Sequence, residues 1–172
     1  MEGGDAVIYA YGLFWDANEV DWFPGQGTPF RMLGRIGQNR GTLRVIDARH
    51  QKGIYILYGD YGPHYVGLVR GQLLGNRLRQ HRSDAHADKW NRFSWFGFRR
   101  VLGGADEHGF KNLANVPEAQ NVAPATVIRD IEAVLIKAMG LSNINKMNIG
   151  RAKEWKQIRS TEEKSYMDRL RN

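Results

Sequence analysis

The sequence predicts an α+β protein, an α/β sandwich in which a small antiparallel three-stranded sheet is flanked by helices and follows an N-terminal β-containing extension. Residues 53–58 and 64–69 both show the period-2 pattern of half-buried strands. The Asp, Gly and Pro residues between them favour a hairpin turn. Residues 93–98 are aromatic and predict a third strand. Residues 72–83 and 124–139 repeat apolar side chains at helical spacing, which predicts the flanking helices.

The N-terminal segment, residues 1–50, is expected to be an accessory layer packed on this core. Its residues 6–15 are apolar and aromatic, and residues 43–47 form a second short apolar run, so both predict strands. The aromatic side chains of this segment are expected to be buried, although stacking on nucleic-acid bases is an alternative for Trp15, Trp22 and Phe23.

The first predicted helix places Arg77 and His81 four residues apart, on the same side. Because Arg77 lies beside the apolar stripe of that helix, we expect its guanidinium close to the sheet, where a phosphate can bind. His86 follows His81 at a spacing that does not suit a helical metal pair, so we interpret it as a surface histidine.

The second predicted helix begins at Pro124 and is expected to end before Gly140. Glu132 lies within its predicted apolar face. Burying a glutamate costs free energy unless it is paired or bound to a cation, so Glu132 is a candidate metal ligand. A salt bridge to Arg77 or Lys137 is the structural alternative. The residues of the apolar face are Ile128, Ile131, Val134, Leu135 and Met139.

Glycines, a proline and scattered polar residues predict a long loop over residues 102–123. The C-terminal segment, residues 149–172, is expected to be one amphipathic helix over residues 151–170. That helix either clamps a nucleic-acid backbone or caps the core.

The chain has 172 residues and no cysteine, which excludes disulfides and thiolate metal sites. It contains no apolar run of membrane-spanning length and no apparent signal peptide, so we expect a cytoplasmic protein without a membrane partner. Its net charge is +7. Residues 70–100 hold eight basic and two acidic residues, a local charge of +6, which suits a polyanion such as nucleic acid better than an ordinary solvated face.

The two strands of the predicted hairpin carry the tripeptides Gly53-Ile54-Tyr55 and Tyr65-Val66-Gly67. With Arg77 and His81 on the next helix and Glu132 on a later one, the chain resembles the GIY-YIG endonuclease family over about residues 50–146. The resemblance implies a nuclease core over residues 51–148. It also implies an asparagine after the second helix, for which Asn143 is the first choice and the alternatives are Asn145 and Asn148.

The resemblance implies a divalent-metal-dependent endonuclease that hydrolyses DNA phosphodiester bonds. Glu132 would hold Mg²⁺ or Mn²⁺, and Arg77 would neutralise the phosphate. Tyr55 and Tyr65 would share the roles of general base and of positioning water or phosphate, with the division left open. His81 would relay a proton or contact the phosphate, and Asn143 would support the site. DNA contacts are expected from Arg70, Arg79, Arg82, Arg99 and Arg100.

Two other functions fit parts of the sequence. One is a nucleic-acid-binding module that keeps the fold without catalysis. The other is an interaction protein that uses its aromatic N-terminal segment. Within the nuclease hypothesis, phage defence, a mobile element and DNA repair all stay open as biological roles.

Overall fold

The structure is a computed structural model that describes residues 6–116, 124–140, 149 and 152–171. Within these residues, ten strands form three sheets, and three short α-helices accompany them. None of the helices in these ranges has the length and apolar character of a membrane span. The strands are β1 (Ala10–Asp16), β2 (Leu33–Ile36), β3 (Arg44–Asp47), β4 (Gly53–Gly59), β5 (Gly62–Val69), β6 (Arg92–Gly97), β7 (Val101–Ala105), β8 (Lys111–Leu113), β9 (Lys153–Glu154) and β10 (Lys156–Gln157). The helices are α1 (Leu74–Gln80), α2 (Pro124–Ala138) and α3 (Glu163–Arg171).

The main sheet has five strands in the order β5-β4-β6-β1-β9. Its pairs are antiparallel except β1 with β9, which run parallel, so the sheet is mixed. The predicted sandwich built on a three-stranded antiparallel sheet is therefore wrong. The N-terminal strand β1 pairs along β6 from Ala10 opposite Gly97 to Asp16 opposite Arg92, and so lies inside the main sheet. A strand inside a sheet is covered on both faces, and the apolar and aromatic side chains of β1 suit that position.

Two predicted elements differ at the C-terminal side of the sheet. The region predicted as a long loop contains β7 and β8, which pair as a two-stranded sheet. The predicted helix over 151–170 begins only at Glu163. Before it, Trp155 and Ile158 are buried and donate backbone N–H groups to Tyr11 and Leu33, so this stretch is extended and joins two sheets.

The main sheet has two faces that hold different apolar clusters. On β4, Tyr55 and Leu57 pack in one cluster with Leu74 and Leu78 of α1. Their neighbours Ile56 and Tyr58 pack in the other cluster, together with Ala133, Val134 and Ala138 of α2. Because successive residues of a strand point to opposite faces, α1 and α2 cover opposite faces of the sheet.

Helix α2 presents a different side to the sheet from the one its apolar pattern predicts. Of the predicted apolar face only Val134 is buried, and the other four members are more than half exposed. Small residues, Ala133 and Ala138, make the contact with the sheet instead. They allow close approach, while buried Asp130 accepts a hydrogen bond from the Val7 N–H at 3.3 Å and Lys137 lies over the Tyr11 ring. Partners for these two charged groups make this orientation possible.

Candidate functional site

The hairpin β4–β5 places two tyrosines on the face covered by α1. Tyr55 on β4 is 1% exposed. Tyr65 lies on the edge strand β5, opposite Leu57, and is half-buried. Gly67 faces Tyr55 across the ladder, and a Cβ at that position would collide with the Tyr55 phenol. The glycine of the second tripeptide therefore makes room for the tyrosine of the first.

Gly53 has a comparable role at the start of β4. Its φ of 146° lies in a region that side chains rarely adopt, and a Cβ there would collide with the carbonyl oxygen of Phe96 on β6. The first tripeptide thus begins where two strands approach too closely for any other residue. This contact fixes the start of the strand that carries Tyr55.

Helix α1 brings Arg77 and His81 to the phenol of Tyr55. The helix is anchored by its buried residues Leu74 and Leu78. The Arg77 Nε–H donates to the Tyr55 hydroxyl at 3.3 Å, and the Tyr55 hydroxyl lies 2.8 Å from His81 Nε2. The two side chains, one helical turn apart, therefore converge on one oxygen atom.

Asp84 orients the imidazole of His81. Its Oδ2 lies 2.7 Å from His81 Nδ1, while its Oδ1 accepts the backbone N–H of His86 at 2.8 Å. Because a carboxylate only accepts hydrogen bonds, His81 carries its proton on Nδ1, and Nε2 accepts from the Tyr55 O–H. Tyr55, His81 and Asp84 thus form a directed chain of hydrogen bonds.

The electrostatics of the cluster keep this arrangement at neutral pH. Burial lowers the pKa of His81, although Asp84 opposes this shift, so the ring is neutral. Burial raises the pKa of Tyr55, while the hydrogen bond and charge of Arg77 act against it. Burial alone would raise the pKa of Asp84, but the hydrogen bonds from His86 and His81 outweigh it and lower that pKa. The carboxylate is therefore charged and the phenol protonated.

Tyr65 adds a second, half-buried phenol to this network. Its ring lies 6.1 Å from the Tyr55 ring and 5.2 Å from the His81 ring. Hydrogen bonding with the two phenols raises the pKa of Arg77, with Tyr55 contributing more than Tyr65. Two phenols, a guanidinium and an imidazole thus meet at one edge of the sheet. The structure brings together these four predicted site residues.

Three further residues extend the cluster: His64, Asp84 and His86. The ligand atoms of His81, Asp84 and His86 lie within 4.8 Å of one another, a group able to hold a metal ion. His64 Nε2 lies 2.9 Å from His86 Nδ1, and the His86 ring lies 4.6 Å from the Tyr65 ring. Helical spacing does not describe how His81 and His86 are related, because α1 ends at Gln80 and both histidines lie in the turn that follows. The signal in the sequence is Asp84 two residues before His86, the spacing of a side-chain-stabilised turn.

Glu132 does not lie with the four residues. It is exposed on α2, which covers the opposite face of the main sheet. The cost of burying a glutamate is absent, because the row of side chains around Glu132 faces outward. Glu132 therefore cannot hold a metal ion at the site formed by the two tyrosines, Arg77 and His81. The candidate asparagines lie outside the described residues: Asn143, Asn145 and Asn148.

The five arginines predicted to contact DNA fall into three groups. Arg70 and Arg100 are exposed. The guanidinium of Arg79 lies 4.8 Å from the centre of the Phe30 ring, and that of Arg82 lies 5.0 Å from the Trp90 ring. Arg99 donates to three backbone carbonyls, those of His50, Leu113 and Ala114, so its guanidinium joins loops of the fold.

Comparison with known protein families, with curated proteins and with solved structures found no match to this chain.

Proposed function

We propose that this chain is an endonuclease that hydrolyses DNA phosphodiester bonds at the cluster of Tyr55, Tyr65, Arg77 and His81. The observation that carries the proposal is the convergence of Arg77 and His81 on the Tyr55 hydroxyl, at 3.3 and 2.8 Å. A guanidinium beside a phenol coupled to a His–Asp pair combines an anion-binding group with a proton acceptor. Hydrolysis of a phosphodiester needs both.

The different burial of the two tyrosines indicates a different role for each. Tyr55 is 1% exposed, so it is a positioning residue that passes a proton to His81. Tyr65 is only half-buried, so we assign it the contact with the attacking water. A proton shift from Tyr65 to Tyr55, and from Tyr55 to His81 Nε2, leaves a phenolate at Tyr65 and an imidazolium held by Asp84. The phenolate accepts a proton from water as the water oxygen bonds to phosphorus, and the ester bond breaks with its electron pair on the departing oxygen. That oxygen takes a proton from solvent, and the imidazolium of His81 returns its proton to solvent.

Arg77 binds the non-bridging oxygens of the phosphate in this proposal. No salt bridge to an acid within 4.0 Å involves Arg70, Arg77, Arg79 or Arg82 in the part of the chain that the structure describes. Their charges are therefore available to a polyanion, as the charge of +6 over residues 70–100 predicts. Arg82 and Arg79 are also held in place by aromatic rings, which reduces the entropy lost when they bind DNA.

A divalent ion at this site would neutralise charge on the phosphate and the departing alkoxide. The proposal assigns no step to Glu132, because α2 lies on the other face of the sheet. It includes a cytoplasmic location, which is compatible with a chain that contains no cysteine.

The decisive variant is Tyr65→Phe, which removes one hydroxyl and keeps the ring. We expect cleavage of plasmid DNA, measured with Mg²⁺ and with Mn²⁺, to fall by about 10²–10⁴-fold, the usual contribution of a general base. Tyr61→Phe is the matched control, because Tyr61 is fully exposed at the tip of the same hairpin. Equal cleavage by wild type and Tyr65→Phe would contradict the assignment.

A nucleic-acid-binding module without catalysis is the second candidate function. It is favoured by the separation of Glu132 from the tyrosines. The basic residues of 70–100 are still present, with Arg77 beside Tyr55, but the carboxylate expected to bind the metal ion lies on the other face of the sheet. In the same assay, this candidate predicts salt-sensitive DNA binding by wild type with no cleavage under either ion.

A further inference from the structure

We infer that His64, Asp84 and His86 form a binding site for a divalent first-row transition ion, and that His81 orients this site through Asp84. The site requires no phosphodiester cleavage and is distinct from the Mg²⁺ expected at Glu132. Two segments supply the ligands: β5 carries His64, and the turn after α1 carries Asp84 and His86.

The distances from His86 to the other two ligands, His64 and Asp84, suit such an ion. His64 Nε2 and His86 Nδ1 lie 2.9 Å apart, and the carboxylate of Asp84 lies within 4.8 Å of the nearest ligand nitrogen of His86. Two imidazole nitrogens bound to Zn²⁺ at about 2.0–2.1 Å in tetrahedral geometry stand about 3.3 Å apart. A small rotation of both rings therefore replaces their mutual hydrogen bond with two bonds to one ion.

The surrounding hydrogen bonds hold the carboxylate in place before an ion arrives. Asp84 Oδ1 accepts the His86 backbone N–H at 2.8 Å, and Oδ2 faces His81 Nδ1 at 2.7 Å. Both ring nitrogens of His81 are already engaged, by Asp84 and by the Tyr55 hydroxyl. His81 thus acts on the ion through the carboxylate, as outer-shell partners of metal ligands do.

The chemistry of the donors indicates the class of ion. Two imidazoles and one carboxylate favour zinc, cobalt or nickel over magnesium, which prefers oxygen ligands and retains its waters. The side chain of Asp84 is 36% exposed, and His64 lines an open cavity of about 380 Å³ beside the hairpin turn. An ion can therefore enter from solvent, and its remaining positions are open to water or to a phosphate oxygen.

Metal binding to the full chain tests the inference without DNA. Chelator-treated protein is titrated with Co²⁺, whose visible absorption reports nitrogen and oxygen ligands, and Zn²⁺ is then added as a competitor. We expect one Co²⁺ per chain, displaced by Zn²⁺. His64→Ala, His86→Ala and Asp84→Asn should abolish the signal, while His81→Gln should weaken binding by about 10–100-fold.

His108→Ala is the matched control, because His108 also lies beside an acid, at 3.7 Å from Glu107, and outside the cluster. Thermal melting of each metal-free variant identifies any that fail to fold, and Asp84→Asn changes only a partly exposed group. Absence of saturable Co²⁺ binding by wild type would overturn the inference, as would wild-type binding by folded Asp84→Asn or His86→Ala. An ion bound without DNA cleavage would leave the site standing and refute the nuclease proposal.

Discussion

The two faces of the five-stranded sheet are covered in the same way, each by one helix, yet they hold different chemistry. On the α1 face, Tyr55, Arg77, His81 and Asp84 form one continuous network of hydrogen bonds. On the α2 face the buried tyrosine of β4, Tyr58, donates to the Ala138 carbonyl at 2.7 Å and so fastens the helix to the sheet. Similar residues thus form a hydrogen-bonded cluster of ionisable groups on one face and a packing contact on the other.

The alternation of side chains along β4 produces this separation. Tyr55 and Tyr58 reach opposite faces, and the ladder to β6 fixes the register between them. A slip of one residue would exchange the faces. Two side chains therefore meet at one site only if the elements that carry them lie on the same face of the sheet. Arg77 lies on the same face as Tyr55, and Glu132 lies on the opposite face.

The largest expected difference between the faces is in cleavage. Arg77→Ala removes the guanidinium from the Tyr55 hydroxyl, so we expect the rate of DNA cleavage to fall by about 10²–10³-fold. Glu132→Ala removes an exposed carboxylate from the opposite face and should leave the rate close to that of wild type. Plasmid cleavage by both variants, at matched concentration, is the measurement. A dead Glu132→Ala beside an active Arg77→Ala would place the chemistry on the α2 face.

The faces should also differ in what their leucines contribute to stability. Leu78 of α1 is fully buried, so Leu78→Ala should lower the free energy of unfolding by about 2–5 kcal/mol. Leu135 of α2 is 56% exposed, and Leu135→Ala should change it by less than about 0.5 kcal/mol. Urea denaturation of both variants measures the difference. An equal loss in the two would show that the outward row of α2 is covered in solution.

Local sequence patterns predict the α1 face well. The hairpin and the helix after it follow from strand alternation, turn residues and apolar helical spacing, and the four-residue spacing places Arg77 and His81 on one side of that helix. These elements are adjacent in sequence, so short-range periodicity determines most of their geometry. The glycine of the second tripeptide contacts Tyr55 within the hairpin, whereas the glycine of the first contacts Phe96 on β6.

Long-range pairing is what the sequence leaves undetermined. Nothing in residues 6–15 indicates that β1 pairs with β6, about eighty residues later, and this pairing makes the predicted fold class wrong. The apolar row of α2 predicts the buried side incorrectly, because Ala133 and Ala138 pack more closely than larger side chains can. His86 reaches His64 through a turn, and no periodic pattern reports that contact.

The smallest expected difference concerns DNA affinity. Arg79 belongs to α1, and Arg129 is an exposed arginine of α2, so the two make a matched pair on opposite faces. Each phosphate contact contributes about 0.9 to the slope of log affinity against log salt concentration for duplex DNA. Arg79→Ala should therefore make the salt dependence weaker, reducing the magnitude of that slope by about one, while Arg129→Ala should leave the slope unchanged. Fluorescence anisotropy with a labelled duplex across a salt series measures both slopes. The reverse result would move the DNA to the α2 face, because the charge that releases counterions must lie where the backbone binds.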